Sequence, residues 1–157
     1  MVNHFPYLEL GARCLWLGTD GSSVREILML TLDANVLLRW LLNDVPDQAA
    51  AAEALLSQAE RFVVPDVVLI ETVYVLERVM LLSRKTVALS VELVLGQANL
   101  AVDREVWRAA LDDYLAHPKL SVADTFLHAQ ARAADRGPLL TFDRALARQL
   151  PGASLVR

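Results

Sequence analysis

The chain holds one cysteine, Cys14, among its 157 residues. A lone thiol forms neither an internal disulfide nor a multi-cysteine zinc site, which excludes stapled secreted scaffolds and zinc ribbons and suits a reducing cytoplasm. Glycine and proline are scarce, six of each, so collagen-like and low-complexity descriptions fail. No uninterrupted apolar run approaches the ~18 residues needed to span a bilayer. The mean hydropathy of +0.35 therefore reads as a dense core, and no membrane association is expected. Basic charge is not in excess either: 15 Lys and Arg face 19 Asp and Glu, for a net charge of −4. That excludes the broad basic surface of a passive nucleic-acid coat, while leaving room for an enzyme whose acids hold cations. The phosphate loop G-x-x-x-x-G-K-[ST], the fingerprint G-x-G-x-x-G and the elbow G-x-S-x-G do not occur, which removes the usual handles of nucleotide-driven motors, dinucleotide oxidoreductases and serine hydrolases.

What is present is one domain's worth of hydrophobic sequence, 55% apolar and 22% charged. A chain of this size buries ~70% of the surface its unfolded form would expose. Residues 1–28 stand apart. Asn3, Pro6, Gly11, Gly18, Gly21, Ser22 and Ser23 interrupt every periodic pattern there, and Glu9 and Arg13 make a poor signal peptide. We expect an N-terminal extension, disordered or arising from a start assigned too early with Met29 as the true initiator, followed by a working domain over 29–157. From Met29 onward, short apolar strands alternate with helices: strand 29–32, helix 47–60 opened by Pro46, strand 61–64, helix 66–82, helix 86–95, strand 99–102, helices 104–116 and 122–136, strand 138–142, helix 144–149 and a last strand near 153–156. Continuously apolar strands separated by helices imply parallel pairing, because each crossover helix covers a sheet face. The expected fold is α/β, a three-layer α/β/α sandwich with a central, mainly parallel sheet. Function in such sheets collects beyond the carboxyl ends of the strands.

Acids stand at those places. Asp33 closes the first strand, Asp143 closes the apolar run 139–142, Asp124 falls in the first turn of the helix after Ser121, and Glu71 interrupts the otherwise apolar stretch 67–76. Each also has a structural role open to it. Asp143 can N-cap helix 144–149, Ser121 with Asp124 can form a capping box, and Glu71 can join Arg78 in a solvated stripe. Asp33 has the least structural need to be acidic. If the acids converge, two carboxylates ~5 Å apart at an effective dielectric of ~20 repel by ~3 kcal/mol, so a positive partner is required. Oxygen-only ligation without Cys or His is the chemistry of Mg²⁺ or Mn²⁺, and phosphodiester hydrolysis is the natural reaction class for such ions.

The stretches LeuAspAlaAsnValLeuLeuArgTrpLeu at 32–41, IleGluThrValTyrValLeuGluArg at 70–78, SerValAlaAspThrPheLeuHisAla at 121–129 and LeuLeuThrPheAspArgAlaLeuAla at 139–147 together resemble the PIN domain, and within it the VapC-type ribonuclease toxins of toxin-antitoxin pairs. The resemblance implies a cytoplasmic, Mg²⁺-dependent endoribonuclease, with Mn²⁺ as a substitute, in which Asp33, Glu71, Asp124 and Asp143 are metal ligands or water-activating carboxylates. It implies Asn35 and Thr141 as small polar residues that orient those acids. It also implies an RNA substrate, a homodimer and a cognate antitoxin protein. The 28-residue front end departs from the pattern of such toxins, which start almost at the first strand.

Arg39, Arg78, Arg132, Arg136, Arg144 and Arg148 are available to contact phosphates, with Arg144 favoured because it adjoins Asp143. Trp40 and Trp107 sit in helical apolar stripes and read as core or dimer surface. His4, His117 and His128 show no HExxH spacing and no evident acid-base partner. A haloacid-dehalogenase-type phosphatase needs a second acid soon after Asp33, and Asn35 stands near that place. A receiver-like phosphoacceptor needs paired acids on the first strand and a Lys after a late one. The reading from another class is a catalytically silent PIN-like module that binds RNA or protein.

Overall fold

The computed structural model describes residues 7–10, 13–17, 24–58 and 60–156, with side chains from residue 29 onward. Eight strands and seven helices occur among these residues. β4 (Leu30–Thr31), β5 (Phe62–Val63) and β6 (Leu100–Ala101) form one parallel sheet in that order, in register Leu30 to Phe62 and Phe62 to Leu100. The strands are short by residue count, yet flanking amides continue the ladder: Leu32 donates to Val63 and Phe62 to Asn99, both at 2.9 Å, and Val64 donates to Ala101 at 3.1 Å. A second parallel pair joins β7 (Leu139–Thr141) to β8 (Ala153–Leu155). Parallel partners need long return paths, and the helices supply them: α1 (Ala34–Leu42) and α2 (Pro46–Leu56) between β4 and β5, α3 (Asp66–Tyr74) and α4 (Arg84–Leu95) between β5 and β6, α5 (Arg104–Ala116) and α6 (Val122–Ala133) before β7, and α7 (Arg144–Gln149) before β8. The α/β class expected from the alternation is present.

Two local expectations are corrected. Helix 66–82 is not uniform: α3 passes into a π-helical turn over Val75–Val79. There the Met80 amide reaches five residues back to the Val75 carbonyl at 2.9 Å, and the segment ends with Leu81 left-handed at φ 54°. Helix 122–136 stops at Ala133, with Asp135 left-handed at φ 48°, a conformation short polar side chains tolerate. In the front segment, β1 (Tyr7–Leu10), β2 (Arg13–Leu17) and β3 (Val24–Leu28) pair as an antiparallel meander, Tyr7 opposite Trp16 and Arg13 opposite Leu28. Residues 1–6, 11–12 and 18–23, His4 among them, lie outside the described residues.

The main core gathers Leu37 from α1, Leu69 and Val73 from α3, Val91 from α4, Leu100 from β6, Trp107 and Tyr114 from α5, and Phe126 from α6. Trp107 and Phe126 lock α5 to α6 with ring centroids 4.5 Å apart. A smaller cluster of Leu120, Leu146 and Leu150 seats α7. No helix among the described residues is long and apolar enough to cross a membrane.

Candidate functional site

Buried Leu32 carries the chain out of β4 to Asp33, which occupies the N-cap position of α1 with extended backbone. Asp33 makes no side-chain cap bond. Instead, Asn35 Nδ2 donates to its Oδ2 at 2.9 Å. That hydrogen bond, assisted by the Ala34 amide, holds the Asp33 carboxyl below the usual carboxylate range. The result is an exposed carboxylate, oriented and ionised, beyond the carboxyl end of β4.

Asp143 holds the equivalent place after β7, as N-cap of α7. Its Oδ1 accepts from the Ala145 amide at 2.6 Å and the Leu146 amide at 3.1 Å. Its own amide donates to Thr141 Oγ1 at 2.9 Å. Asp124 closes a capping box at the start of α6: Oδ2 accepts from the Ser121 amide at 3.0 Å and the Ser121 hydroxyl at 2.6 Å, while the Asp124 amide donates back to that hydroxyl at 3.2 Å. Capping consumes one oxygen of each carboxylate, and Oδ2 of Asp143 and Oδ1 of Asp124 accept no hydrogen bond among the described residues. The structural role and an open ligand position therefore coexist. Glu71 lies exposed on α3 with no side-chain hydrogen bond or ion pair among the described residues, and Arg78, with which it could share a solvated stripe, is exposed as well. α3 packs against both α1 and α6, the helices that begin at Asp33 and carry Asp124.

Among the described residues no group of three His, Cys, Asp or Glu side chains is placed to hold a metal ion. The four acids are thus not a preformed protein cage. The donor chemistry nevertheless fits one class of ion. Mg²⁺ dehydrates reluctantly, keeps several waters, and is ordinarily held by one or two carboxylates together with substrate phosphates. Exposed, all-oxygen donors such as Asp33, Asp143 and Glu71 suit that habit and suit a thiol- or imidazole-seeking metal poorly.

Other residues take roles that no spacing announced. Arg84, the first residue of α4, donates to the carbonyls of Tyr114 and Leu120 and to Glu77, with its guanidinium 3.4 Å from the centre of the Tyr114 ring. It clamps the chain immediately before Ser121 and so fixes the entry to α6. Tyr114 is fully buried beneath it, and burial pushes its hydroxyl up to about 12. His128, expected to lack an acid-base partner, has one: Nδ1 lies 3.1 Å from Asp113 Oδ2, and Nε2 lies 2.8 Å from the Pro151 carbonyl. The ring is buried and ties α6 to the turn before β8. Only tertiary placement reveals either residue. Trp107 is core, its indole N–H donating to Asp66 at 2.8 Å, and half-buried Trp40 donates to Glu53 at 2.6 Å. Arg39 is engaged with Asp44 and Gln48, which takes it out of the set available to phosphates.

A PIN domain is matched over residues 30–149, about three quarters of the chain and a span that contains all four acids. No curated protein matches the chain. The PIN fold is a nuclease-type fold whose members are generally metal-dependent and bind RNA. With parallel strands delivering acids to helix N-termini over the same stretch that the match covers, the chain belongs to the PIN domain family.

Proposed function

We propose that this protein is a Mg²⁺-dependent endoribonuclease, with Mn²⁺ as a substitute, and the toxin of a toxin-antitoxin pair. In this reading it acts as a homodimer restrained by a cognate antitoxin, and residues 29–157 are the working domain. Asp33, Glu71, Asp124 and Asp143 hold the ion or activate water, with Asn35 and Thr141 orienting Asp33 and Asp143. The observation that carries the reading is that the family match runs through all four acids, two of which stand two residues past the ends of parallel strands. When bound, Mg²⁺ supplies the positive charge that polarises a phosphoryl oxygen and stabilises the leaving oxygen. The protein's own part begins with Asp33, which Asn35 keeps ionised and aimed. Thr141 fixes the backbone at Asp143, whose capping bonds pin one oxygen and leave the other for ligand or water. Glu71, exposed and without an ion-pair partner among the described residues, serves as a proton acceptor for the attacking water.

One observation favours the silent PIN-like module instead: no three-carboxylate group is assembled among the described residues. Incubation with total RNA separates the two. The nuclease reading expects cleavage that needs Mg²⁺ or Mn²⁺, stops with EDTA and disappears in Asp33→Asn. RNA binding without cleavage in either metal would establish the silent module. Growth arrest on expression, relieved by a small protein encoded alongside, tests the toxin role separately.

A further inference from the structure

Six residues around Asp143 combine features that belong together on a nucleic-acid surface. Strand alternation turns Leu140 and Phe142 outward, 66% and 81% exposed, so an aromatic ring stands nearly bare immediately before Asp143. Immediately after it, Arg144 and Arg148 lie one turn apart on α7 and, with Ala147 and Leu155, line an open recess of about 430 Å³. Neither arginine has an ion-pair partner among the described residues. Leu155 ends β8, so this recess opens at the carboxyl end of the β7–β8 pair, the end from which Asp143 emerges.

The placement of Arg144 has no local justification. It is the first residue of α7, where the helix dipole disfavours a cation. Arg132 and Arg136 make an informative contrast. Arg132 stands in the last turn of α6, where a cation is favoured. With Arg136 it lines a different recess, bordered by Leu139 and Gly152 at the opposite, amino end of β7 and β8. Arg132 and Arg136 are thus remote from Asp143, whereas Arg144 is adjacent to it and unexplained by its helix, with Arg148, in the last turn of α7, on the same recess.

We propose that Phe142 stacks on an unpaired base while Arg144 and Arg148 seat the phosphates beside it, a subsite that holds the RNA strand next to Asp143. An aromatic platform flanked by unpaired cations is how single strands are gripped without sequence readout. A duplex, whose bases are already stacked, gains nothing from Phe142, and an acidic polypeptide uses the arginines but not the ring. The inference rests on the nuclease reading for its substrate, yet it is testable without cleavage.

The experiment measures binding of short fluorescein-labelled single-stranded and duplex RNAs to the full chain carrying Asp33→Asn, in Mg²⁺, across a salt titration. Phe142→Ala is expected to weaken single-strand binding by about tenfold, with duplex binding and salt dependence unchanged. Arg144→Gln with Arg148→Gln is expected to weaken binding and flatten the log-log salt slope by about 0.7 for each arginine lost. Arg132→Gln with Arg136→Gln, the same charge change at the other end, is expected to leave both unaltered. Equal losses in the two double variants, equal effects of Phe142→Ala on single strand and duplex, or displacement of RNA by polyglutamate of matched charge with the same variant profile would each overturn it. Cleavage by the unsubstituted chain is followed in parallel. Its absence with this binding pattern intact would remove the nuclease reading and leave the single-strand surface standing.

Discussion

Asn35 and Thr141 act on neighbouring acids by different means. Asn35 hydrogen-bonds the Asp33 carboxylate itself, whereas Thr141 accepts from the Asp143 backbone and leaves the carboxylate to the helix it caps. The first arrangement has a titration signature. A carboxyl depressed in the folded chain adds stability above its ordinary pKa and loses it as pH falls through the depressed value. Asn35→Ala removes the largest cause, so carbon-13 NMR of the Asp33 carboxyl should show its midpoint moving up toward the ordinary value of 3.8. The acid edge of any RNA cleavage should move up with it. An unmoved midpoint would mean that the Asn35 contact does not form in solution. Tyr114 runs the other way. Raised from 10.0 to about 12 by burial, it stabilises the fold fully below pH 10, and that contribution is lost as pH rises through about 12. Denaturant titrations over this window should show an alkaline loss that Tyr114→Phe diminishes.

At the scale of elements, helix starts carry the proposed site acids and much of the local stability together. The Ser121-x-x-Asp124 spacing was enough to anticipate a capping box, because the motif is local and its hydrogen bonds span three residues. Ser121→Ala should lower the unfolding free energy by about 1 kcal/mol in urea titration. The bounds of α5 and α7 were legible for the same reason, being set by Asp103 and Asp143 as caps. The π-helical turn at Val75–Val79 was not, since it changes only the hydrogen-bond offset within an unbroken apolar stretch. Nor was the Arg84 clamp, whose acceptors at Tyr114 and Leu120 lie 30 and 36 residues away. Arg84→Met should destabilise the chain by about 1.5–3 kcal/mol, the range for hydrogen bonds to a charged group. Loss confined to heat stability, with cleavage rate per folded molecule unchanged, would limit Arg84 to scaffolding; a reduced rate would extend its reach through Ser121 to Asp124.

For the whole molecule, the order of strands and helices followed from apolar periodicity, and the parallel pairing from the need for crossovers. What periodicity does not encode is distance between side chains from remote segments. The sequence placed Asp33, Glu71, Asp124 and Asp143 at element ends and on one helix, while their arrangement around an ion depends on rotamers, water and substrate phosphate. The distribution of arginines was equally hidden: net charge is −4, yet Arg144 and Arg148 have no ion-pair partner among the described residues while Arg39 is paired with Asp44. The most direct test of the central claim is therefore metal binding itself, followed by Mn²⁺ electron paramagnetic resonance on the unsubstituted chain and on Asp33→Asn, Glu71→Gln, Asp124→Asn and Asp143→Asn. The account predicts saturable binding that each substitution weakens by about tenfold or more, the scale on which even supporting residues of metal sites act. Binding that survives all four substitutions unchanged, or none in the unsubstituted chain with RNA present, would contradict it.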